Sequence, residues 1–193
     1  MKKVCVYCSS SARIPACYFD ATAELGALLV DAGYEVVFGG GSFGLMGRLA
    51  DAVLEKKGKI VGIMPRFMRE VEWAHRDVED FIFTDTMHER KARLLEGADA
   101  VVALPGGTGT LEELFEAITL KRLGLYLNPI IILNTNGFYD PLREMLARCI
   151  EERFMNERNL AAWRFVDNPA EVVPAIRDDA GWDPNAIHFA LNK

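Results

Sequence analysis

The stretch AVVALPGGTGTLEE, residues 100–113, decides the fold of this chain. Its first five residues are apolar, as in a strand that is covered on both faces of a parallel sheet. Pro105 forces a sharp exit from that strand, and helical spacing of apolar residues begins at Leu111. A buried strand that turns directly into a helix is half of a βαβ unit, so this stretch predicts an α/β protein.

The alternation of strands and helices extends in both directions from this stretch. Apolar, β-rich runs also lie at residues 3–8, 34–38, 59–64, 81–84 and 129–133. Helical spacing marks a helix that ends near Gly33, another that ends at Gly58, and a third at residues 87–95. The pattern predicts an α/β fold in which helices flank a mostly parallel sheet on both sides.

Length and composition indicate one soluble domain. The 193 residues suit a single domain at residues 1–177 and a polar tail at residues 178–193, either loosely packed or reaching a second subunit. The net charge of -6 gives no general attraction to nucleic acid or membranes, so neither is an expected partner. No run approaches the ~20 apolar residues of a membrane span, and no secretory signal precedes the first strand. We therefore expect a cytoplasmic protein.

The cysteines give no indication of a metal site. Cys5 and Cys8 form one C-x-x-C pair, with no second pair and no histidine at the spacing of zinc ligands. Because both residues lie in or just after the first predicted strand, we expect buried or partly buried, reduced thiols.

Two glycine- or serine-rich turns follow the first two strands, at the edge of the sheet where ligands collect in open α/β folds. The first turn holds three serines at residues 9–11. The second, GGGSFGLMG at residues 39–47, allows close approach of its backbone and could aim N–H groups at an anion. It matches G-x-G-x-x-G, but Pro65 and Arg66 follow the next strand where a dinucleotide site needs an acidic residue. The sequence therefore disfavours a nicotinamide cofactor.

The third turn, residues 105–113, has the composition of a phosphate-binding helix start. Thr110 is a candidate N-cap, which would leave the first amide donors of the helix facing the turn. Thr110 and Glu113 also fit a capping box, in which the Glu113 carboxylate only completes the helix start. The two roles are compatible, because a carboxylate is stabilised as the anion near a helix N-terminus.

Two cations interrupt the apolar stripe of the helix at residues 87–95. Arg90 and Lys91 stand where apolar residues are expected, near the start of the helix, where both burial and the helix dipole disfavour positive charge. Snorkelling side chains or a buried ion pair would account for them. An anionic ligand accounts for them better.

Together these motifs resemble the Lonely Guy (LOG) family of cytokinin-activating phosphoribohydrolases, long mislabelled as lysine decarboxylases. The motif P-G-G-x-G-T-x-x-E is complete at residues 105–113, G-G-G-S-x-G-L-M-G at 39–47 and M-H-E-R-K at 87–91. The likeness covers about residues 3–176. The chain departs from the family at Ser9, where many members have glycine, and the added side chain would narrow that wall of the pocket.

The resemblance implies a Rossmann-like homodimer with its active sites at or near the subunit interface. It implies cleavage of AMP, or of N6-modified AMP such as isopentenyl-AMP, to free base and ribose 5-phosphate, without metal or organic cofactor. The catalytic pair that it implies is Arg90 and Glu113. The substrate-binding residues that it implies are Ser10, Gly41, Ser42, Gly44, Met46, Glu72, Met87, Lys91, Gly106, Gly107, Thr108, Gly109, Thr110, Leu111 and Glu112.

The chemistry of the reaction gives this pair distinct roles. An N-glycosidic bond breaks through a sugar with oxocarbenium character, so Glu113 would stabilise the positive charge and orient the attacking water. Arg90 would position the phosphate or assist departure of the base. The glycine turns would hold the 5'-phosphate, whose binding energy orients the sugar.

Two other functions would use parts of the same sequence. Molybdenum-cofactor carrier proteins resemble this fold and its glycine turns, and a carrier would need the turns but not Glu113 with Arg90. Decarboxylation with pyridoxal phosphate needs a Schiff-base lysine and a partner for the pyridine nitrogen. Lys91 is the only lysine in the motifs, and it lies beside the predicted phosphate site, which disfavours that chemistry.

Overall fold

The computed structural model describes residues 1–190, except for the side chains of Glu70 and Glu72. The strands are β1 (Lys2–Tyr7), β2 (Tyr34–Phe38), β3 (Ile60–Pro65), β4 (Asp80–Thr84), β5 (Ala100–Ala103), β6 (Ile130–Leu133) and β7 (Arg164–Val166). The α-helices are α1 (Ala16–Asp31), α2 (Gly44–Glu55), α3 (Arg69–Glu72), α4 (Met87–Leu95), α5 (Thr108–Arg122), α6 (Asp140–Glu151), α7 (Val172–Arg177) and α8 (Ile187–Ala190). Short 3-10 helices lie at Arg66–Met68, Thr135–Gly137, Glu157–Ala162 and Pro169–Glu171.

The seven strands form one parallel sheet in the order β4-β3-β2-β1-β5-β6-β7. In its centre, Val4 of β1 pairs with Val36 of β2 on one side and with Ala100 of β5 on the other. The predicted α/β fold is confirmed. The sequence patterns indicated six of the strands and missed β7.

Helices cover both faces of the sheet, which makes a three-layer molecule. Along β1, Val4 and Val6 belong to an apolar cluster with α1, α2 and α7. The alternating residues Cys5 and Tyr7 belong to a second cluster with α4, α5 and α6 on the opposite face. Because successive side chains of a strand point to opposite faces, a strand between two helical layers must be apolar throughout.

The order of the strands reverses at β1, which has β2 on one side and β5 on the other. Helices leaving the carboxyl ends of these strands diverge to opposite faces, and this opens a crevice at that edge of the sheet. The predicted turn after β1 and the predicted turn after β5 therefore become neighbours, although about a hundred residues separate them in the sequence.

Helix α5 begins earlier than the sequence predicted. Gly107 is its N-cap, in an extended conformation, and the Leu111 N–H donates to the Gly107 carbonyl over 3.0 Å. Thr110 is therefore inside the first turn, and its side chain packs over Gly106 instead of capping the helix. The predicted N-cap at Thr110 and the capping box with Glu113 are wrong, because a glycine occupies the cap position.

The segment at residues 66–80 showed no periodicity, and in the structure it is fastened to the glycine turn. Ala74 forms an isolated antiparallel bridge with Gly41. The imidazole Nε2 of His75, a buried residue, lies 3.1 Å from Oδ1 of Asp51 on α2. These contacts hold the segment over the carboxyl ends of β2 and β3.

The described part of the predicted tail lies against the end of α5. The Lys121 Nζ atom is 3.8 Å from Asp179 Oδ2 and 5.8 Å from the centre of the Trp182 ring. Ala186 is fully buried. Within residues 1–190, no helix is both long enough and apolar enough to cross a bilayer.

Candidate active site

A cavity of about 330 Å³ opens at the carboxyl ends of β1 and β5, within the usual size range of small-molecule sites. Its lining comprises Val6, Tyr7, Cys8, Ser9, Ser10, Ser11, Gly39, Met46, Met68, Met87, Arg90, Gly107, Thr108, Gly109, Thr110, Glu112 and Glu113. The turn after β1 and the start of α5 supply most of this lining, with additions from α2, α4 and the 3-10 helix at Arg66–Met68.

The structure brings most of the predicted site residues to this cavity. Those that line it are Ser10, Met46, Met87, Arg90, Gly107, Thr108, Gly109, Thr110, Glu112 and Glu113. Those outside the lining are Gly41, Ser42, Gly44, Lys91, Gly106 and Leu111. The predicted contact of the Glu72 side chain lies outside the described residues.

The start of α5 presents N–H donors of the kind that bind anions at helix starts. The first-turn N–H groups of a helix have no acceptor within the helix, and here they belong to Thr108, Gly109 and Thr110, which line the cavity. The N-cap Gly107 offers no side chain that could accept from them. Together with the helix dipole, these donors favour a negatively charged group in the cavity.

The sequence suggested that the glycine turn before α2 aims N–H groups at an anion, but two N–H groups at that helix start are bonded to the chain itself. The Leu45 and Met46 N–H groups both donate to the Ser9 carbonyl, over 2.9 and 3.3 Å. A Cβ at Gly44 would lie 2.5 Å from the Ser10 carbonyl carbon, so this turn closely approaches the chain itself. The turn after β1 thus occupies the Leu45 and Met46 N–H groups, which are not available to an anion.

Arg90 is buried in an ion pair with Glu113. The guanidinium Nη1 donates to Glu113 Oε1, and Nε donates to the Ile63 carbonyl of β3 over 3.0 Å. Arg90 is 6% exposed and Glu113 is 9% exposed. The sequence pattern favoured an unpaired cation awaiting an anionic ligand, and the structure shows the buried ion pair instead.

Lys91 is also paired with carboxylates of α5. Its Nζ lies 2.5 Å from Glu112 Oε1 and 3.4 Å from Glu116 Oε2. The hydrogen bond to Glu112 is the main cause that raises the pKa of Lys91. The ion pairs of Arg90 and Lys91 together join α4 to α5. They explain why two cations lie on a face of α4 that packs inward.

Three titratable side chains on β1 or at its end lie close enough to Glu113 for its charge to affect their pKa values. Burial, and then the charge of Glu113, raises the pKa values of the Cys5 and Cys8 thiols. Burial also raises the pKa of Tyr7 well above its usual value, with smaller contributions from Cys5 and Glu113. These groups are neutral near pH 7, and the buried free thiols expected at Cys5 and Cys8 are confirmed. A buried neutral thiol is a poor nucleophile.

The lining of the cavity is rich in methionine. Met46, Met68 and Met87 contribute to it, and Val6 adds a further apolar surface. The sequence did not indicate Met68, because the segment around it has no periodicity. Other lining residues that the sequence analysis did not predict lie at or just after the end of β1, and that position could have indicated them. They are Val6, Tyr7, Cys8, Ser9 and Ser11. For Gly39, the only clue in the sequence was its place in the glycine motif.

Among the described side chains of residues 1–190, which exclude those of Glu70 and Glu72, no three His, Cys, Asp or Glu form a group suited to a metal ion. The described residues of the cavity offer a carboxylate near the first-turn N–H donors of a helix.

Sequence comparisons identify relatives over most of this chain. A family described as "Possible lysine decarboxylase" matches residues 46–176, more than half of the chain. Cytokinin riboside 5'-monophosphate phosphoribohydrolase LOG of Oryza sativa subsp. japonica is 42% identical, over 97% of this chain and 80% of that protein. A second relative, cytokinin riboside 5'-monophosphate phosphoribohydrolase LOG2 of Arabidopsis thaliana, is 39% identical over 80% of this chain and 73% of its own length.

Solved structures share the fold. The X-ray structure of TM1055, a structural genomics target, is 28% identical, with a TM-score of 0.72 over 92% of this chain and 99% of that one. The molybdenum cofactor binding protein of the phototrophic bacterium Rippkaea orientalis is 19% identical, with a TM-score of 0.70 over 92% of this chain and 96% of that one. At that identity the likeness concerns the fold alone.

Proposed function

The chain belongs to the Lonely Guy (LOG) family, and we propose that it hydrolyses the N-glycosidic bond of purine ribonucleoside 5'-monophosphates. The substrates are N6-modified AMP, such as isopentenyl-AMP, and AMP itself, so the activity includes that of an AMP nucleosidase. The products are the free base and ribose 5-phosphate. This is the reaction that activates a cytokinin nucleotide.

One observation supports this function most directly: Glu113 and the first-turn amides of α5 line the same cavity. The amide donors suit the 5'-phosphate of a nucleotide. Glu113 lies about one turn further along the helix, roughly 5 Å from them along the axis. A mononucleotide bound by its phosphate would place its ribose beside this carboxylate.

In the proposed reaction, water attacks the anomeric carbon while the bond from that carbon to the base nitrogen breaks. The electron pair of the broken bond leaves with the base, and a proton from water restores the neutral base. Glu113 stabilises the positive charge that develops on the sugar and orients the water. The phosphate contributes binding energy at a distance from the reacting atoms, so nucleosides should react poorly.

The methionines of the cavity lining suit the base end of such a substrate. Methionine side chains adapt their shape to irregular apolar groups. Met46, Met68 and Met87 would therefore accept adenine with or without an aliphatic N6 substituent. Ser9 to Ser11 would contribute hydroxyl groups on the ribose side.

Decarboxylation with pyridoxal phosphate fits this site poorly. A Schiff-base lysine must be neutral to react, and the hydrogen bond to Glu112 raises the pKa of Lys91. Lys91 also lies outside the lining of the cavity.

We further propose a cytoplasmic homodimer with its active sites at or near the subunit interface. Large apolar side chains near the cavity support this assembly, since exposed apolar patches commonly mark protein interfaces. Phe43 is 49% exposed and Trp73 56%, with ring centres 6.2 Å apart, and Phe67, next to the cavity-lining Met68, is 61% exposed. Light scattering should give twice the mass of the 21.5 kDa chain, and a monomer over the assay concentration range would refute the dimer.

The function is tested by incubating the protein with AMP, isopentenyl-AMP and adenosine and separating the products by chromatography. We expect free base and ribose 5-phosphate from both nucleotides, and much slower release from adenosine. Binding of the nucleotides without any release of base would instead support a non-catalytic carrier. Comparison of the two nucleotide rates then identifies the preferred base.

A further inference from the structure

We propose that Arg90 is a positioning residue that acts on the reaction through the Glu113 carboxylate, and that Gly39 provides the space its guanidinium needs. This inference rests on the proposed hydrolytic function. It assigns the phosphate to the start of α5 rather than to Arg90, and it gives position 39 a role in the reaction.

The Arg90 guanidinium is fixed by the protein on three sides. Nε donates to the Ile63 carbonyl over 3.0 Å, and Nη1 donates to the Glu113 carboxylate. Nη2 lies against the backbone of Gly39, where a Cβ would be only 2.5 Å away. A side chain held in this way is set to orient its carboxylate partner, because it has little freedom to follow a ligand.

Gly39 is required for space rather than for backbone conformation. It is not among the residues of positive φ, so alanine could adopt its backbone conformation. An added methyl group would overlap with the end of the Arg90 side chain. Because that side chain is held by hydrogen bonds, it cannot move away without losing them. Gly39→Ala should therefore displace the Arg90 guanidinium without removing any functional group from the site.

Gly41 provides the matched comparison in the same turn. A Cβ at Gly41 would lie 3.1 Å from the Met46 sulfur, and a Cβ at Gly39 would lie 3.0 Å from the same atom. The three nearest contacts of the Gly41 Cβ all belong to Met46. The two substitutions thus crowd the same methionine, and they differ in whether Arg90 is displaced.

Arg90 is also a cation in direct contact with Glu113. The groups that face Glu113 from β1 and its end are Cys5, Tyr7 and Cys8, whose raised pKa values keep them neutral near pH 7. On α5 itself, the neighbouring Glu112 is engaged with Lys91 of α4. Displacement of Arg90 should therefore leave Glu113 less well oriented and easier to protonate.

The test compares Gly39→Ala with Gly41→Ala and the parent protein in steady-state assays on AMP. For Gly39→Ala we expect kcat to fall about 10- to 100-fold, the scale of a misplaced group. The acidic limb of the pH profile of kcat/KM should move to higher pH by about one unit or more. The inhibition constant of ribose 5-phosphate should stay at the parent value, because the phosphate binds elsewhere. Gly41→Ala should retain the acidic limb of the parent.

Three results would overturn the inference. An unshifted acidic limb in folded Gly39→Ala would show that Arg90 does not act through Glu113. A weaker inhibition by ribose 5-phosphate would show that Arg90 binds the phosphate. The same shift of the acidic limb in Gly39→Ala and Gly41→Ala would show that crowding of Met46, rather than displacement of Arg90, causes the shift. If Gly39→Ala does not fold, Arg90→Met is measured with the same readouts and the same expectations.

Failure of the proposed function would look different. In that case the parent protein itself would release no base from AMP or isopentenyl-AMP, whatever the variants do. Release by the parent together with any of the three results above rejects the positioning role alone.

Discussion

Gly44 is a residue at which both the backbone conformation and the neighbouring backbone require glycine. Its φ is +62°, in the left-handed region, and a Cβ there would lie 2.5 Å from the Ser10 carbonyl carbon. Gly44→Ala should lower the free energy of unfolding by about 2–4 kcal/mol, because left-handed strain adds to overlap with backbone atoms. Urea unfolding followed by circular dichroism measures this loss.

Gly33 supplies the control for that prediction. It also has a left-handed φ, +82°, but no atom lies within 4 Å of a Cβ built there. Gly33→Ala should therefore show the strain alone, about 1–2 kcal/mol. Equal losses in the two variants would mean that the close approach of the Ser10 backbone contributes nothing.

The sequence drew attention to the two cations of the ion pairs, but it did not show which carboxylates they pair with. Arg90 and Lys91 were noticeable because cations interrupted an apolar stripe. Their partners Glu113, Glu112 and Glu116 lie on a different helix, more than twenty positions away. Pairing at that distance depends on how β5 aligns α4 with α5, and helical spacing alone carries no information about it.

At the scale of elements, the patterns predicted strands with a continuous apolar run and helices with a clear stripe. They missed β7, which has three residues of which one is buried, and α6, although Pro141 in its first turn is a recognised helix-start signal. The start of α5 was misplaced because the spacing of Thr110 and Glu113 fits a capping box, whereas threonine and glycine are about equally common N-caps. In the structure Gly107 is the N-cap, and the Thr110 side chain packs over Gly106.

The end of α5 carries a buried lysine with a measurable pH signature. Lys121 is 1% exposed and donates to the Asn128 carbonyl over 2.8 Å. Burial lowers its pKa below the usual 10.5, partly opposed by the charge of Asp179. Because the folded state binds this proton less tightly than the unfolded state, the charged lysine costs stability below its lowered pKa. That cost disappears as pH rises towards 10.5.

This signature is tested by urea unfolding of the parent and Lys121→Met at several pH values between neutrality and 10.5. The free energy of unfolding of the parent minus that of the variant should increase with pH across this window. Parallel stability curves, or a difference that decreases with pH, would show that burial does not lower the pKa of Lys121.

At the scale of the whole molecule, the fold fixes where the site lies and leaves its chemistry to particular residues. Reversal of strand order at β1 places the cavity at the carboxyl ends of β1 and β5, as in other open α/β sheets. A molybdenum cofactor binding protein shares this fold with a TM-score of 0.70. The fold alone therefore does not select an activity. The sequence could predict the architecture and the cavity edge, because both follow from strand–helix alternation.

In the proposed reaction, Glu113 provides the chemistry of base release. This role is tested by the rates at which parent and Glu113→Gln release free base from isopentenyl-AMP, with circular dichroism to establish that both are folded. We predict release by the parent, with ribose 5-phosphate formed in equal amount, and a rate at least about 100-fold lower for the variant. Release by folded Glu113→Gln at nearly the parent rate would contradict the account.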